Sequence, residues 1–332
     1  MANRYKIVMT DFFAPEIIQI VEKFVPPGFD FAASRNKTRS EMLGVIKDAD
    51  FVIACGAWGI DEEMIKAAPK LKFVQKWGVG VDKFDFAALR AAGIPLVISA
   101  GANSIPVAEH TLGFMIAVSK RFIVADSATR AGKFLKSELQ MSSTQLYQKV
   151  IGIVGLGHIG KRVAKRVQGF EPREVLYRDI VPQEKAEKDL GVLPVPLDEL
   201  LQRSDFVTLH VPLNETTRKM IGKREIGLMK RTAILINTCR GGVVDEKALY
   251  EALRDRRILG AATDVFEKEP TTADNPLFTL DNIIVTSHLA HSTVDNIPNM
   301  AQHCFRNIVR FSEGKPLPEA DVIIPVSATT AG

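Results

Sequence analysis

The stretch Val150-Ile151-Gly152-Ile153-Val154-Gly155-Leu156-Gly157-His158-Ile159-Gly160 decides how this chain is read. Five residues of apolar strand pattern run into a Gly-x-Gly-x-x-Gly turn, and the helix-like KRVAKRVQ (161–168) follows. Gly155 permits the tight turn, Gly157 lets a pyrophosphate approach the backbone, and Gly160 lets the helix pack on the strand. The first helical turn then offers N–H donors and the positive end of its dipole. The next strand pattern, EVLYRD (174–179), ends in Asp179, 24 residues beyond Gly155. A carboxylate there accepts both ribose hydroxyls of NAD and repels the 2′-phosphate of NADP. Strand alternation aims Arg178 to the other face, so NAD is favoured over NADP. A tight turn without a ligand is the plainer alternative. Gly155 to Lys161 also spells the GxxxxGK of nucleotide triphosphatases, but Arg162 stands where a magnesium-binding Ser or Thr is required.

Outward from this motif, short apolar runs alternate with helical patterns. Downstream strands are DFVTLH (205–210), TAILIN (232–237), ILGAATD (258–264) and NIIVTS (282–287), which with 150–155 and 174–179 make six. Upstream ones are KIVM (6–9), FVIA (51–54), KFVQ (72–75) and PLVIS (95–99), with a helix pattern from Asp61 to Ala68 stopped by Pro69. Continuous apolar strands, each followed by a helix, indicate buried parallel sheets. The fold class is therefore α/β, doubly wound. A boundary falls near Gly101-Ala102-Asn103, before a long helix at 107–121. Segment 126–148 reads as a polar helix and loop. Residues 294–312 read as a helix interrupted at Pro298, and the tail after Gly314 as loop that frays.

Composition agrees. At about 150 residues per domain, 332 residues make two domains. With 46% hydrophobic and 25% charged residues, disorder, collagen and a disulfide miniprotein are excluded. The net charge of +4 is spread without a basic block, which argues against a nucleic-acid partner. Cys55, Cys239 and Cys304 are odd in number and far apart, which suits no disulfide or metal framework and fits a reducing, cytoplasmic compartment. The N-terminal residues lack a signal-peptide pattern. The longest apolar stretch, 111–125, is broken by Lys120 and Arg121, so no membrane partner is expected.

Doubly wound sheets bind ligands just beyond the C-terminal ends of their strands. Arg240 follows TAILIN, Glu269 follows ILGAATD, and His288 follows NIIVT. Reducing a 2-oxo acid requires a cation for the carboxylate and carbonyl, which suits the planar fork of arginine. It also requires a proton donor titrating near neutrality, and a carboxylate that stabilises the imidazolium. Spacing alone leaves open that these are solvated loop charges and a hydrogen-bonded loop histidine. His288 and His291 form H-x-x-H, but a catalytic zinc needs a third protein ligand and none has obvious spacing, so no metal is expected. Cys239, beside Arg240, is either a thiol of lowered pKa or, the favoured reading, a small residue near the cofactor.

The segments NTCRGGVVDE (237–246), DVFEKEP (264–270), SHLAHST (287–293), VGVDKFD (79–85) and NSIPVAEHTLG (103–113), with the glycine motif, closely resemble the D-isomer-specific 2-hydroxyacid dehydrogenase family. The resemblance runs in matching order over nearly the whole chain. It implies two doubly wound domains: a flavodoxin-like substrate domain of 1–102 and 293–332, and an NAD-binding Rossmann domain of 103–292. It implies hydride transfer between NAD(H) and C2 of a small 2-hydroxy or 2-oxo acid of the hydroxypyruvate or glyoxylate type. Arg240 would bind the substrate carboxylate and carbonyl, His288 would be the acid/base, and Glu269 its partner. Asp264 would contact the nicotinamide side. Val211, Pro212, Thr217, Thr238 and Cys239 would line the cofactor. His158 and Ile159 would give backbone N–H groups to the pyrophosphate, and Gly78-Val79-Gly80 to the substrate carboxylate. A homodimer through the NAD-binding domain is implied as well.

Departures from the family pattern bear on substrate. Phosphoglycerate dehydrogenases carry an Arg after the strand matching FVIA. Here Ala54-Cys55-Gly56-Ala57 has no cation, and no regulatory domain follows the last helix pattern. Formate dehydrogenases have Gln where Glu269 stands. Trp77 and His291 replace residues that are usually small, and Trp77 suits the substrate mouth and the core equally. An NAD-sensing corepressor of the same fold is the alternative to an enzyme. The full Arg–Glu–His set favours the enzyme.

Overall fold

The computed structural model describes residues 5–56 and 58–326. Ala57 and the tail beyond Val326 lie outside the described residues. The chain divides into two compact units, one of residues up to Asn103 and from Thr293 onward, the other Ser104–Ser292.

In the first unit, β1 (Tyr5–Met9), β2 (Phe29–Ala33), β3 (Phe51–Ala54), β4 (Phe73–Lys76) and β5 (Leu96–Val97) pair in parallel, in the order β2-β1-β3-β4-β5. That is the flavodoxin-like winding. In the second unit, β6 (Val150–Val154), β7 (Glu174–Arg178), β8 (Val192–Pro194), β9 (Phe206–Leu209), β10 (Ile234–Asn237), β11 (Gly260–Thr263) and β12 (Ile283–Val285) form a parallel sheet. Its order, β12-β11-β10-β9-β6-β7-β8, reverses direction beside β6, the strand that feeds the glycine turn. Ligands bind at such a reversal.

The strands lack polar alternation because both faces of each sheet are covered. Along β6, Val150 and Val154 join one core, with Leu200, Leu235 and Leu249, while Ile151 and Ile153 join the other, with Val163, Val167 and Phe114. In the first unit, Ile7, Phe51 and Ile53 pack under the helix Asn296–Ser312, and Val8, Val52 and Val74 pack on the opposite face. Phe51 is fully buried beside Tyr5 and edge-on to Phe73 and Phe311. Truncating such a ring costs about 3–5 kcal/mol.

Four local expectations are corrected. Strands β2 and β8, unmarked in the sequence reading, lie at sheet edges, where half-exposed residues blur the apolar signal. Pro298 does not interrupt its helix. It is the third helical residue, where the missing N–H has no intrahelical partner to lose. The tail after Gly314 is not all loop. Its Val322–Ile324 forms β13, antiparallel to β5. The long helix runs over Ser104–Ser119, three residues earlier than read at its start.

The segment read as polar helix and loop holds the helices Phe122–Arg130 and Lys136–Gln140, neither with a buried residue. Phe122, Ile123, Phe134 (85% exposed) and Met141 (92%) stand in solvent around them. Among the described residues, no helix is long and apolar enough to cross a membrane.

Candidate active site

The glycine turn behaves as its spacing requires. Gly155 has φ 93°, and a Cβ there would lie 2.4 Å from the His210 carbonyl oxygen. A Cβ on Gly160 would lie 2.1 Å from the Gly155 oxygen. Gly157 differs, because a Cβ there would meet nothing within 4 Å. Gly157 also caps the helix His158–Val167 without a side-chain cap. Two glycines thus serve the fold, and the third keeps space open over a helix N-terminus, which fits a pyrophosphate.

Asp179 follows β7 and ties down this turn. Its Oδ2 accepts the Leu156 N–H at 2.6 Å and its Oδ1 the Val181 N–H at 3.2 Å. Arg178 is exposed and donates to the Asp179 backbone oxygen. Val211 and Pro212 leave β9 into a loop closed by Thr217, whose hydroxyl donates to the Pro212 oxygen at 2.6 Å. Thr238 shares a hydrogen bond with Thr111 at 3.0 Å. The Cys239 thiol donates to Asn237 Oδ1 at 3.1 Å, and burial pushes its pKa up to about 11. The alternative of an activated thiol at Cys239 is thereby set aside, because desolvation outweighs the charge of neighbouring Arg240. These residues share one unit and suit a dinucleotide.

Arg240, Glu269 and His288 come from the loops after β10, β11 and β12 of that same unit. His288 Nδ1 lies 2.7 Å from Glu269 Oε2, and Glu269 Oε1 accepts the Phe266 N–H at 3.0 Å. Burial raises the Glu269 carboxyl, but the His288 hydrogen bond and charge, the Phe266 N–H and Arg240 together hold it below the usual range. Arg240 can approach because Gly241 lies flat on the next loop. A Cβ on Gly241 would fall 1.9 Å from the Phe266 carbonyl carbon. Arg240 itself donates to the Cys239 oxygen at 2.7 Å, and its own backbone oxygen accepts from Asn237 at 3.0 Å.

Asp264 is 1% exposed and organises the histidine turn. Its backbone oxygen accepts the His288 N–H at 2.7 Å. Its carboxylate accepts the N–H groups of Leu289 and Ala290, each at 2.9 Å, and the Thr286 hydroxyl at 2.5 Å. Thr286 also meets His110 Nε2 at 3.2 Å. Burial lowers the His110 pKa, against the pull of Asp264. His288 is held at φ 56°, a left-handed backbone that a non-glycine residue adopts only when its surroundings impose it. Asp264 was expected near the nicotinamide; its carboxylate is occupied by this turn. Gly241, Thr286 and His110 were not singled out in the sequence. The doubled glycine after Arg240 is the one local signal that could have flagged a close approach.

The expected substrate residues Trp77, Gly78, Val79 and Gly80 lie in the first unit, after β4. Gly78 has φ 111°, and its carbonyl accepts the Ser99 N–H at 2.9 Å. The Trp77 ring, 8% exposed, packs in the core beside Phe13. Lys76 brings a cation that the sequence reading did not place. Its Nζ donates to the Trp77 oxygen at 2.7 Å and lies 3.7 Å from where a Gly56 Cβ would stand. Lys76 thus places its ammonium beside Gly56, in the stretch that lacks a cation of its own. Among the described residues, no three His, Cys, Asp or Glu side chains are grouped to hold a metal.

Comparisons with known proteins bear on these clusters. Residues 112–290 match the model of the D-isomer specific 2-hydroxyacid dehydrogenase, NAD binding domain. A glyoxylate reductase of Korarchaeum cryptofilum is 41% identical over 272 residues, 81% of this chain and 82% of that protein. A D-3-phosphoglycerate dehydrogenase of Methanocaldococcus jannaschii is 41% identical over 289 residues, 87% of this chain but 54% of that longer protein. Among solved structures, the D-lactate dehydrogenase of Aquifex aeolicus, complexed with NAD and lactic acid, superposes with a TM-score of 0.83 at 26% identity. That match covers 97% of this chain and 100% of the other.

Proposed function

The chain belongs to the D-isomer-specific 2-hydroxyacid dehydrogenase family, and from that premise we propose that it interconverts a small 2-oxo acid and its 2-hydroxy acid with NAD(H). The observation that carries this is the 2.7 Å contact of His288 Nδ1 with Glu269, beside Arg240. The glycine turn, with open space over Gly157, would hold the pyrophosphate of NADH, which would supply the hydride to substrate C2. His288 gives the proton from Nε2 to the carbonyl oxygen, because Nδ1 is engaged by Glu269. The ionised Glu269 fixes the orientation of the ring. Arg240 binds the substrate carboxylate and stabilises the charge developing on the oxygen.

Asp179 supports NAD over NADP, since its carboxylate would repel a 2′-phosphate. The exposed apolar residues Phe122, Ile123, Phe134 and Met141 support a homodimer through the NAD-binding unit, because large apolar side chains left in solvent are often covered by a partner. Three unpaired, buried cysteines are in keeping with the cytoplasm. The phosphoglycerate reading keeps one observation in its favour, the Lys76 ammonium beside Gly56.

The test is steady-state NADH oxidation with glyoxylate, hydroxypyruvate, pyruvate, branched 2-oxo acids and phosphohydroxypyruvate. Turnover with at least one is expected. NADH binding without turnover on any of them would overturn the enzyme in favour of an NAD-sensing binding protein.

A further inference from the structure

We propose that His110 is a positioning residue for the proton transfer, acting through the Thr286 hydroxyl and Asp264 on the turn that carries His288; this rests on the reading that His288 protonates the C2 oxygen. His110 lies on the helix Ser104–Ser119, in the same unit as that turn. Its Nε2 lies 3.2 Å from Thr286 Oγ1 and 3.9 Å from Asp264 Oδ1. Its ring stands edge-on to Phe114, one helical turn further along, with centroids 4.3 Å apart. Phe114 is 4% exposed and packs in the core with Ile151 and Ile153 of β6, so the imidazole rests on a fixed support.

The direction of each hydrogen bond follows from the hydrogens available. A carboxylate only accepts, and a threonine hydroxyl has one hydrogen. That hydrogen goes from Thr286 to Asp264 Oδ1 at 2.5 Å. Thr286 Oγ1 therefore accepts from His110, which puts a proton on His110 Nε2. Burial lowers the His110 pKa, so at neutral pH this is the single N–H of a neutral ring. The same Asp264 oxygen accepts the Leu289 N–H, and its other oxygen the Ala290 N–H. The chain from His110 through Thr286 and Asp264 thus ends on the two residues that follow His288. It holds the turn in which His288 keeps its left-handed backbone, φ 56°. Without the His110 N–H, the Thr286 hydroxyl can turn to another acceptor, and Asp264 loses that donor. A shift of about 1 Å in a reacting group costs up to about 100-fold in rate.

The test is a double-mutant cycle read on kcat, with a 2-oxo acid that the enzyme turns over, beside NADH affinity by fluorescence. His110→Phe keeps an aromatic ring against Phe114 and removes the N–H. It should lower kcat by about 10-fold and leave NADH affinity within about twofold of wild type. His110→Gln keeps a side-chain N–H and should recover most of the loss. In a Thr286→Val background, where the chain is already broken, His110→Phe should cost little further. A purely structural role would take the same toll in both backgrounds. If His110→Phe does not fold, His110→Asn, whose shorter amide falls short of Thr286, takes its place with the same expected outcomes. Wild-type kcat in the folded variant overturns the proposal. So does a cost retained in full in Thr286→Val, a fall in NADH affinity as large as that in kcat, or a His110→Gln enzyme as slow as His110→Phe. Absence of NADH oxidation by the wild-type protein with every 2-oxo acid overturns the function itself.

Discussion

Glu269 holds His288 with one carboxylate oxygen, Oε2 at 2.7 Å from Nδ1, and fastens itself with the other, Oε1 at 3.0 Å from the Phe266 N–H. The pair is thus anchored to backbone on its acidic side. Replacing His288 with Ala should abolish measurable turnover while NADH still binds by fluorescence. Glu269→Gln should lower kcat by about 10²-fold or more. A lowered carboxyl keeps the pair intact above the ordinary Glu value of about 4.3. Its stabilising contribution fades only as pH falls through the lowered value. Near-wild-type kcat in His288→Ala sinks the mechanism.

The glycines of the dinucleotide turn should separate by readout. Gly160→Ala drives a Cβ into the Gly155 carbonyl and should lower Tm or prevent folding. Gly157→Ala has open space and should melt near wild type, yet weaken NADH binding by about 10-fold. A Gly157→Ala enzyme with unchanged NADH affinity would contradict the placement of the phosphates.

Asp264→Ala strips a buried acceptor from the Leu289 and Ala290 N–H groups and the Thr286 hydroxyl. We expect about 2–4 kcal/mol of lost stability in urea unfolding. We also expect a kcat loss larger than any change in NADH affinity, because the left-handed backbone at His288 loses its support. An Asp264→Ala enzyme as stable and as fast as wild type would exclude this positioning role.

His210 predicts acid lability. Burial lowers its pKa to about 3, and its Nδ1 is buried without a hydrogen-bond partner. An unfolded histidine takes up a proton near 6.5, so stability is unaffected above that pH and declines as pH falls toward 3. His210→Asn should shrink the fall in Tm between pH 7 and pH 4.5. An identical fall in the variant would assign the lability elsewhere.

The exposed apolar residues Phe122, Ile123, Phe134 and Met141 should be covered by a second copy. Phe134→Glu with Met141→Glu should convert a dimer in sedimentation to a monomer. A wild-type enzyme that sediments as a monomer at micromolar concentration refutes the pairing.

Strands covered on both faces declared themselves in sequence by continuous apolar runs, and β3 was read to the residue. Edge strands β2, β8 and β13 did not, because short, half-exposed segments resemble loops. The chemistry-bearing side chains Arg240, Glu269 and His288 were legible from their places after strands together with the family resemblance. Their support was not. Asp264 acts through backbone N–H groups, and Gly241 acts through an absent side chain, so neither leaves a residue-type signature of its role. Lys76 escaped for a different reason: it reaches Gly56 across two adjacent strands, a contact that sequence spacing does not encode.

The interrupted first unit sets an order of assembly on the ribosome. The second unit is one continuous segment, and all its strands have been synthesised by Val285. The sheet of the first unit emerges earlier but waits with one face only partly covered, by Ile17, Ile18 and Val21, because Met300, Cys304, Phe305 and Ile308 arrive last. Until then its apolar face is exposed to chaperones and to other nascent chains. Premature termination after Ser292 would release a finished nucleotide-binding module attached to a half-covered sheet, a species marked for aggregation or proteolysis rather than for partial function.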